Sequence, residues 1–230
     1  AGMGDEIKRT GNKELMKLFN YVAVQEASEC VYPNGTRDKG RGPMKLKDFV
    51  NLQISQEAGL DEADVCALRL YSTAAFRAIN DPLRDQERTE PHPLPVTVSF
   101  LTRAIKKLRS VGAHTQGARK AKTLWRGMKQ IKLGDLFEEE GGTELAPMST
   151  TTEFSVAVTY AMSSEAVVFK VVTMNSLQRG ADIQFLSAFA AESEVLFPPL
   201  TYLQPLEGRK QVIQLEGITL TVVEVQPTTA

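Results

Sequence analysis

Hydrophobic residues recur at helical spacing through the first half of the chain. Leu15, Leu18 and Val22, for example, lie on one face of a helix predicted over residues 12–28. Similar patterns predict further helices over residues 46–57, 61–80 and 97–112. A stretch rich in Gly and Pro, residues 31–45, separates the first helix from the second and is predicted to be a loop.

The third predicted helix has recognisable signals at both ends. Asp61 followed by Asp64 favours a helix start, because each carboxylate can accept a hydrogen bond from the free backbone N–H groups there. Pro82 disfavours helical geometry at the residue before it, so we expect this helix to end near Asn80.

From residue 122 onward the pattern changes to short runs of Val, Ile, Leu and Thr. These runs predict strands over residues 122–128, 145–152, 166–173, 194–203 and 211–225, with one helix over 154–163. A helical half that precedes a mostly antiparallel sheet is an α+β architecture.

Composition excludes several classes of protein. The chain has 230 residues, of which 42% are hydrophobic and 24% charged, with a formal net charge of −1. This near-neutral balance gives no electrostatic sign of nucleic-acid or membrane binding, and no apolar run is long enough to span a bilayer. Without an apolar signal segment at the start, we expect a soluble chain, cytoplasmic by default, with a secreted or effector protein left open. Two cysteines and two isolated histidines predict neither a disulfide framework nor a metal site.

Residues 183–199 contain a pair of acidic residues, Glu192 and Glu194, followed directly by strand-forming residues. On a strand, residues i and i+2 point to the same side, so we expect the two carboxylates to project next to each other. Like charges repel, so the pair is either a functional feature or two surface acids at a solvated strand start. The preceding Phe185 and Phe189 lie among Ser and Ala, a composition typical of a loop that presents aromatic side chains.

Arg126 lies within an apolar strand, between Leu124–Trp125 and Gly127–Met128. A guanidinium there needs an anionic or acceptor partner, and its fork of N–H donors matches a phosphate or diphosphate. The alternative is a structural salt bridge to an Asp or Glu. Ser149, Thr150 and Thr151 place a row of hydroxyls on another predicted strand, able to tie strands together or to bind a polar ligand.

These three features occur in a fixed order, as LWRGM, MSTT and ESEVLFPP, with Ser149 23 residues after Arg126 and Glu194 45 residues after Ser149. In this order and spacing the chain resembles the arginine-specific mono-ADP-ribosyltransferases. Their signature is an Arg strand, a Ser-Thr-Ser/Thr strand and a Glu-x-Glu strand. The third hydroxyl position is Thr151, a change that preserves hydrogen bonding and alters packing.

The resemblance extends over about residues 46–227. ALRLYSTAAFRAINDPLR, residues 67–84, is similar to the helix that precedes the Arg strand in that family, with Tyr71, Asn80 and Arg84 at the expected points. SAFAAESE is similar to the family's turn-turn loop, with Phe189 at its aromatic position. We therefore assign residues 46–230 to a catalytic domain. Residues 1–45 are then either a packing helix with its loop or an accessory piece.

The resemblance implies that NAD is the co-substrate and assigns roles around it. Arg126 would bind the diphosphate or nearby ribose oxygens, Gly127 would let the backbone approach the nicotinamide amide, and Ser149 would orient Glu194. Tyr71 and Asn80 would also contact NAD. Tyr160 would stack on the nicotinamide, or else belong to the buried face of its helix.

The two glutamates would divide the chemistry. Glu194 would stabilise the positive charge that develops on the ribose as the bond to nicotinamide lengthens. Glu192 would orient the acceptor guanidinium and take its proton, with its proton affinity raised by Glu194. Phe189 would form part of the surface that meets the target protein.

The expected function is transfer of ADP-ribose from NAD to an arginine of a target protein, or of the chain itself, with release of nicotinamide. An NAD glycohydrolase needs Glu194 but not Glu192, so the presence of both favours transfer. A catalytically silent NAD-binding or interaction module is a further alternative, although neither Arg126 nor Glu194 is missing. A nucleic-acid target is disfavoured by the neutral charge.

Overall fold

A computed structural model of the chain describes residues 2–25, 30–32, 35–114, 120–129, 133–215 and 218–229. The chain divides into two compact units. The first comprises Ala1–Val111 with Ile183–Ala191, and the second comprises Gly112–Asp182 with Glu192–Ala230.

The first unit is mainly helical. Its helices are α1 (Met3–Arg9), α2 (Lys13–Ala23), α3 (Leu46–Val50), α4 (Gln53–Glu57), α5 (Glu62–Leu70), α6 (Phe76–Arg84) and α7 (Pro95–Ala113). Two short antiparallel strands, β1 (Cys30–Tyr32) and β2 (Gly35–Arg37), begin one residue before the loop predicted over 31–45, so that prediction was wrong for its first residues. The predicted α2 extends to residue 28, but residues 26–29 lie outside the described part of the chain.

Two of the predicted helices are interrupted. The helix expected over residues 46–57 is broken at Leu52, whose backbone is extended. The one expected over 61–80 begins as predicted, with Asp61 accepting from Asp64 N at 2.9 Å, but Thr73 is extended and separates α5 from α6. The expected end near Asn80 is wrong, because Pro82 is accommodated inside the last turns of α6 and the helix closes beyond it, from Asp85 N to Asp81 O.

The second unit is built on an eight-stranded sheet. Its strands are β3 (Lys122–Lys129), β4 (Gly142–Glu144), β5 (Met148–Thr151), β6 (Glu165–Thr173), β7 (Ala181–Asp182), β8 (Glu194–Phe197), β9 (Thr201–Leu215) and β10 (Ile218–Thr228). Their order across the sheet is β4-β9-β10-β6-β3-β5-β8-β7. Every pairing is antiparallel except that of β10 with β6, which confirms the predicted α+β class with a mostly antiparallel sheet.

Two strand predictions were too coarse. The run predicted over residues 194–203 is divided between β8 and β9, because Pro198 and Pro199 interrupt the ladder and Leu200 has a positive φ of 62°. The run over 211–225 covers parts of two strands, β9 and β10, which pair with each other in an antiparallel hairpin.

The sheet packs apolar side chains on both faces. One face buries Leu124, Met148, Val167, Phe169, Val171, Val195, Phe197, Leu203, Val223 and Val225. Helix α8 (Asp135–Glu140) packs its Phe137 against this face, where the ring stacks on Phe169. On the other face, α9 (Phe154–Ala161) packs its Ala157 and Ala161 against Ala166, Val168 and Leu220. Among the described residues, no helix is both long and apolar enough to cross a bilayer.

Candidate active site

Adjacent strands β3, β5 and β8 bring the three sequence motifs together. Ser149 O accepts a 2.9 Å hydrogen bond from Arg126 Nη1, and Ser149 Oγ donates to Glu194 Oε1 at 2.7 Å. Arg126 and Glu194, 68 positions apart in the sequence, are thus joined through one serine. Glu194 is only 6% exposed, so the hydroxyl of Ser149 replaces part of the solvation that burial removes from its carboxylate.

Arg126 also forms an ion pair that the sequence did not identify. Its Nη2 lies 3.3 Å from Glu144 Oε2, and both side chains are largely buried. The structural salt bridge considered from the sequence is therefore present. The role of Arg126 as a phosphate ligand stays a prediction.

The two threonines that follow Ser149 tie β5 to its neighbour. Thr150 Oγ1 donates to Val195 O at 2.7 Å, and Thr151 Oγ1 donates to Glu192 O at 2.6 Å. Thr151 Oγ1 also accepts from Glu153 N at 3.0 Å, which fixes the turn into α9. Thr151, at the third hydroxyl position of the motif, thus both donates and accepts a hydrogen bond through its hydroxyl.

The two glutamates do not lie on one strand, so that prediction was wrong. Glu192 ends a short 3₁₀ turn, Ala190–Glu192, and β8 begins only at Glu194. Ser193 between them has a positive φ of 47°. In this left-handed conformation the backbone is not extended, so the side chains on either side of Ser193 do not follow the alternating pattern of a strand. The reason lies in the partner strand, where Thr151 pairs with Glu194 as the last residue of the ladder.

Glu192 has a different environment from Glu194. Its half-buried carboxylate accepts a 2.8 Å hydrogen bond from the hydroxyl of Tyr160 on α9. Burial raises the pKa of Glu192 above its ordinary value, and the Tyr160 hydrogen bond partly opposes that rise. The pKa shift has the direction expected from the sequence, but its principal cause is burial.

Tyr160 is half exposed, at 51%, so it does not belong to the buried face of α9. The pKa of Tyr160 is raised above its ordinary value, mainly by partial burial. The negative charge of Glu192, the hydrogen bond to it and the charge of Glu194 add to this rise. The hydroxyl therefore stays protonated and can donate to Glu192. The sequence singled out the ring of Tyr160 but missed this hydroxyl contact, for which no local pattern exists.

Gly127 is explained by packing. A Cβ built on this residue would lie 1.9 Å from Ala157 O, so only glycine allows α9 to approach β3 this closely. Its role toward a nicotinamide amide stays a prediction.

The remaining candidates belong to the first unit. Asn80 Nδ2 donates to the Tyr71 hydroxyl at 3.0 Å, and both side chains are buried. Phe189 is half-buried, and its N–H donates to Ser187 Oγ at 3.1 Å. The roles of these three residues toward NAD or a target stay predictions.

The groups that converge in the second unit can be compared with the chemistry of NAD. They are a guanidinium (Arg126), a hydroxyl (Ser149) and a buried carboxylate (Glu194), with a second carboxylate of raised pKa (Glu192). A guanidinium matches phosphate oxygens and a carboxylate accepts from ribose hydroxyls, so this set fits a phosphate-bearing nucleotide.

Solved structures of known proteins share this architecture. ADP-ribosyltransferase HopU1 of Pseudomonas syringae is 19% identical, with 93% of this chain and 97% of that chain aligned at a TM-score of 0.57. The Vis toxin of Vibrio splendidus is 21% identical over 80% of this chain and 83% of its own, at a TM-score of 0.56. The eukaryotic mono-ADP-ribosyltransferase ART2.2 is 17% identical over 80% and 75%, at a TM-score of 0.55. At these identities the likeness establishes the fold.

No curated protein matched the chain in sequence. A family model, described as NAD:arginine ADP-ribosyltransferase, matches residues 42–222, which is most of the chain. The family match and the fold agree with the convergence of the Arg126, Ser149 and Glu194 motifs. The chain therefore belongs to the NAD:arginine ADP-ribosyltransferase family, with NAD as its co-substrate.

Proposed function

We propose that the chain transfers one ADP-ribose from NAD to an arginine side chain of a target protein and releases nicotinamide. The observation that carries this proposal is the different setting of two nearby carboxylates. Glu194 is buried and hydrogen-bonded by Ser149, whereas Glu192 is hydrogen-bonded by Tyr160 and has a raised pKa. Different settings suit different roles in one reaction.

Glu194 acts on the nucleotide. Cleavage of the bond between the ribose and nicotinamide develops positive charge on the ribose, which an ionised carboxylate stabilises more in the transition state than in the ground state. Ser149 fixes the orientation of this carboxylate, so little reorganisation is needed as the charge develops. Arg126 would hold the diphosphate.

Glu192 acts on the acceptor. A guanidinium has a pKa above about 12 and is a poor nucleophile while it is protonated. As one guanidinium nitrogen forms a bond to the ribose carbon that nicotinamide leaves, it must lose a proton, and Glu192 accepts it. A carboxylate whose pKa is raised is a better base for this step than an ordinary one.

Two related structures support the choice of substrates. Vis has been solved in complex with agmatine, which carries a guanidine group, and a mutant of ART2.2 has been solved in complex with NADH. The partner of this chain is then a protein with a reactive arginine, and the chain itself is one candidate acceptor. The catalytic domain would begin near residue 46, close to the start of the family match at residue 42.

Three variants test the two glutamate roles, with agmatine as the acceptor. Glu192→Gln should abolish labelling of agmatine by NAD but retain nicotinamide release with water. Glu194→Gln should lower both rates by about a hundredfold to a thousandfold. The exposed Glu139 of α8 provides the control, since Glu139→Gln should change neither rate.

Other outcomes would lead to other functions. If the natural chain releases nicotinamide but labels neither agmatine nor protein, the glycohydrolase is correct. If it binds NAD and does neither, the chain is a silent module. If Glu192→Gln loses both activities in parallel, the proposed division of roles is wrong.

A further inference from the structure

A buried cluster in the first unit, outside the motifs discussed so far, is centred on Asp38. This residue is 0% exposed and has a positive φ of 52°. Its carboxylate accepts from the Tyr21 hydroxyl, from Arg41 Nη1 at 2.5 Å, and from Arg69 Nη1 and Nη2 at 3.1 and 2.8 Å. We name these four residues the Asp38 cluster.

Further donors of the cluster reach one loop, residues 183–191. Arg41 Nη1 donates to Ser187 O at 2.6 Å, and Arg41 Nη2 donates to Gln184 O and Phe185 O at 3.0 and 2.8 Å. Arg69 Nη1 donates to Leu186 O at 2.8 Å, and Asp38 N donates to Ala188 O at 2.7 Å. Five consecutive carbonyls of the loop, 184 to 188, thus accept from the Asp38 cluster.

Charge and burial make this arrangement specific. The single carboxylate of Asp38 balances the charge of only one of the two guanidiniums, Arg41 and Arg69. The partial negative charges of the loop carbonyl oxygens stabilise the other. Arg69 is 1% exposed and lies 4.0 Å above the ring of Phe49, where water cannot replace a lost carbonyl. A different loop conformation would leave buried N–H groups without acceptors.

Burial around Asp38 would raise its pKa, but the hydrogen bonds and charge of Arg69, together with Tyr21 and Arg41, hold that pKa below its ordinary value. The carboxylate is therefore ionised at neutral pH and balances one of the two cations. The left-handed backbone of Asp38 is an uncommon conformation, which persists because the surrounding contacts determine it.

We propose that Arg41 and Arg69, balanced by Asp38, are positioning residues that hold the 183–191 loop in the conformation with which Phe189 meets the acceptor. The proposal rests on the proposed function, and on the role of Phe189 at the target that the family resemblance implies. Asp38 and Arg41 precede the stretch matched by the family model, which begins at residue 42. Tyr21 lies on α2 and Arg69 on α5, so the Asp38 cluster joins residues before position 46 to the part of the chain that the family model matches.

Hydrogen exchange tests the positioning directly, without NAD. Within the loop, Ser187 N donates to Ile183 O at 2.8 Å, and Ala188 N donates to Ser72 Oγ at 2.9 Å. In Arg41→Ala we expect these amides to exchange at least tenfold faster, while peptides from α7 exchange as in the natural chain.

Arg103→Ala is the matched control. Arg103 also belongs to the first unit and pairs with two carboxylates, Asp64 at 2.7 Å and Asp61 at 2.6 Å, but it has no contact with the loop among the described residues. Its removal should leave exchange in residues 183–191 unchanged.

Kinetics test the consequence for the acceptor. In Arg41→Ala we expect the KM for agmatine to rise at least tenfold, with nicotinamide release in the absence of acceptor within twofold of the natural rate. Arg41→Lys keeps the charge beside Asp38 but cannot reach all four acceptors of the guanidinium, so it should restore only part of the loss.

The outcomes separate this proposal from the proposed function. If loop exchange in Arg41→Ala equals that of the natural chain, or if Arg103→Ala accelerates it equally, the positioning role is refuted. It is also refuted if agmatine transfer and nicotinamide release fall in parallel. If the natural chain labels no acceptor, the proposed function fails, while the exchange result still decides whether Arg41 holds the loop.

Discussion

Tyr160→Phe isolates the hydrogen bond between α9 and Glu192. The substitution removes one hydroxyl and keeps the ring, so any stacking by the aromatic side chain is retained. In the natural chain this hydroxyl donates to Glu192 Oε1 at 2.8 Å. The hydrogen bond favours the ionised carboxylate and opposes the rise in pKa that burial causes.

The size of the effect follows from that hydrogen bond. A hydrogen bond to a charged group contributes about 1.5–3 kcal/mol, and one pKa unit corresponds to about 1.4 kcal/mol. Tyr160 is 51% exposed, so water competes for the carboxylate and the lower end applies. We expect the pKa of Glu192 to rise in Tyr160→Phe, and kcat/KM for transfer at acidic pH to fall by about tenfold as a result.

The sign determines the pH dependence. Glu192 must be ionised to accept a proton, so transfer declines as the pH falls through its pKa. A higher pKa moves this acid limb toward higher pH. The assay is kcat/KM for transfer to agmatine between about pH 4.5 and pH 8.5, with nicotinamide release in the absence of acceptor measured in parallel.

Tyr202→Phe is the matched control. Tyr202 on β9 also donates its hydroxyl to a neighbouring oxygen, Glu140 O, but among the described residues this hydroxyl bonds to neither Glu192 nor Glu194. The proposed effect of the Tyr160 hydroxyl on Glu192 is refuted if the acid limb in Tyr160→Phe stays in place or moves to lower pH. It is equally refuted if Tyr202→Phe, or nicotinamide release, shows the same shift.

Three further predictions concern stability and reactivity. Asp38→Asn leaves two guanidiniums without a buried counter-charge and should lower the free energy of unfolding in urea by about 3–5 kcal/mol. Gly127→Ala places a Cβ 1.9 Å from Ala157 O and should lower the thermal midpoint by several degrees or prevent folding, as circular dichroism would show. Burial raises the pKa of the Cys66 thiol to about 12, so in a Cys30→Ser background iodoacetamide should modify it only after unfolding.

The strands of the site could be predicted because their signals are local. β3 and β6 are continuous runs of strand-forming residues, and the structure places them within a residue or two of the predicted bounds. Ser149 and Glu194 meet as expected since each belongs to a motif with a defined place on such a strand.

The geometry of the glutamate pair could not be predicted, because a contact distant in sequence determines it. Thr151, 41 positions before Glu192, donates a hydrogen bond to the carbonyl of that residue. It also pairs with Glu194 at the end of the ladder between β5 and β8. Nothing in the letters ESE indicates that Ser193 is left-handed. The hydroxyl of Tyr160 reaches Glu192 from 32 positions away, for the same reason.

The Asp38 cluster was missed for two different reasons. Asp38 and Arg41 lie in the charged, Gly-rich stretch TRDKGRG, whose composition is typical of a solvated loop. Their partners are carbonyls about 140 positions later, and no pattern in that stretch indicates burial.

Arg69 did carry a usable signal. It lies in the apolar run Ala67–Leu70, just as Arg126 lies between Trp125 and Gly127, and the argument that singled out Arg126 applies to it equally.

The two arginines also have the same kinds of partner. Arg126 donates to the carbonyl of Ser149 and pairs with Glu144, while Arg69 donates to the carbonyl of Leu186 and pairs with Asp38. An arginine in an apolar run therefore indicates a buried acceptor set, but it does not say whether that set is a ligand or the protein's own backbone. The motif order around Arg126 favours a ligand role there. No comparable motif order surrounds Arg69, so the same argument would have predicted a structural partner for it. The structure shows such partners, the carbonyl of Leu186 and the carboxylate of Asp38.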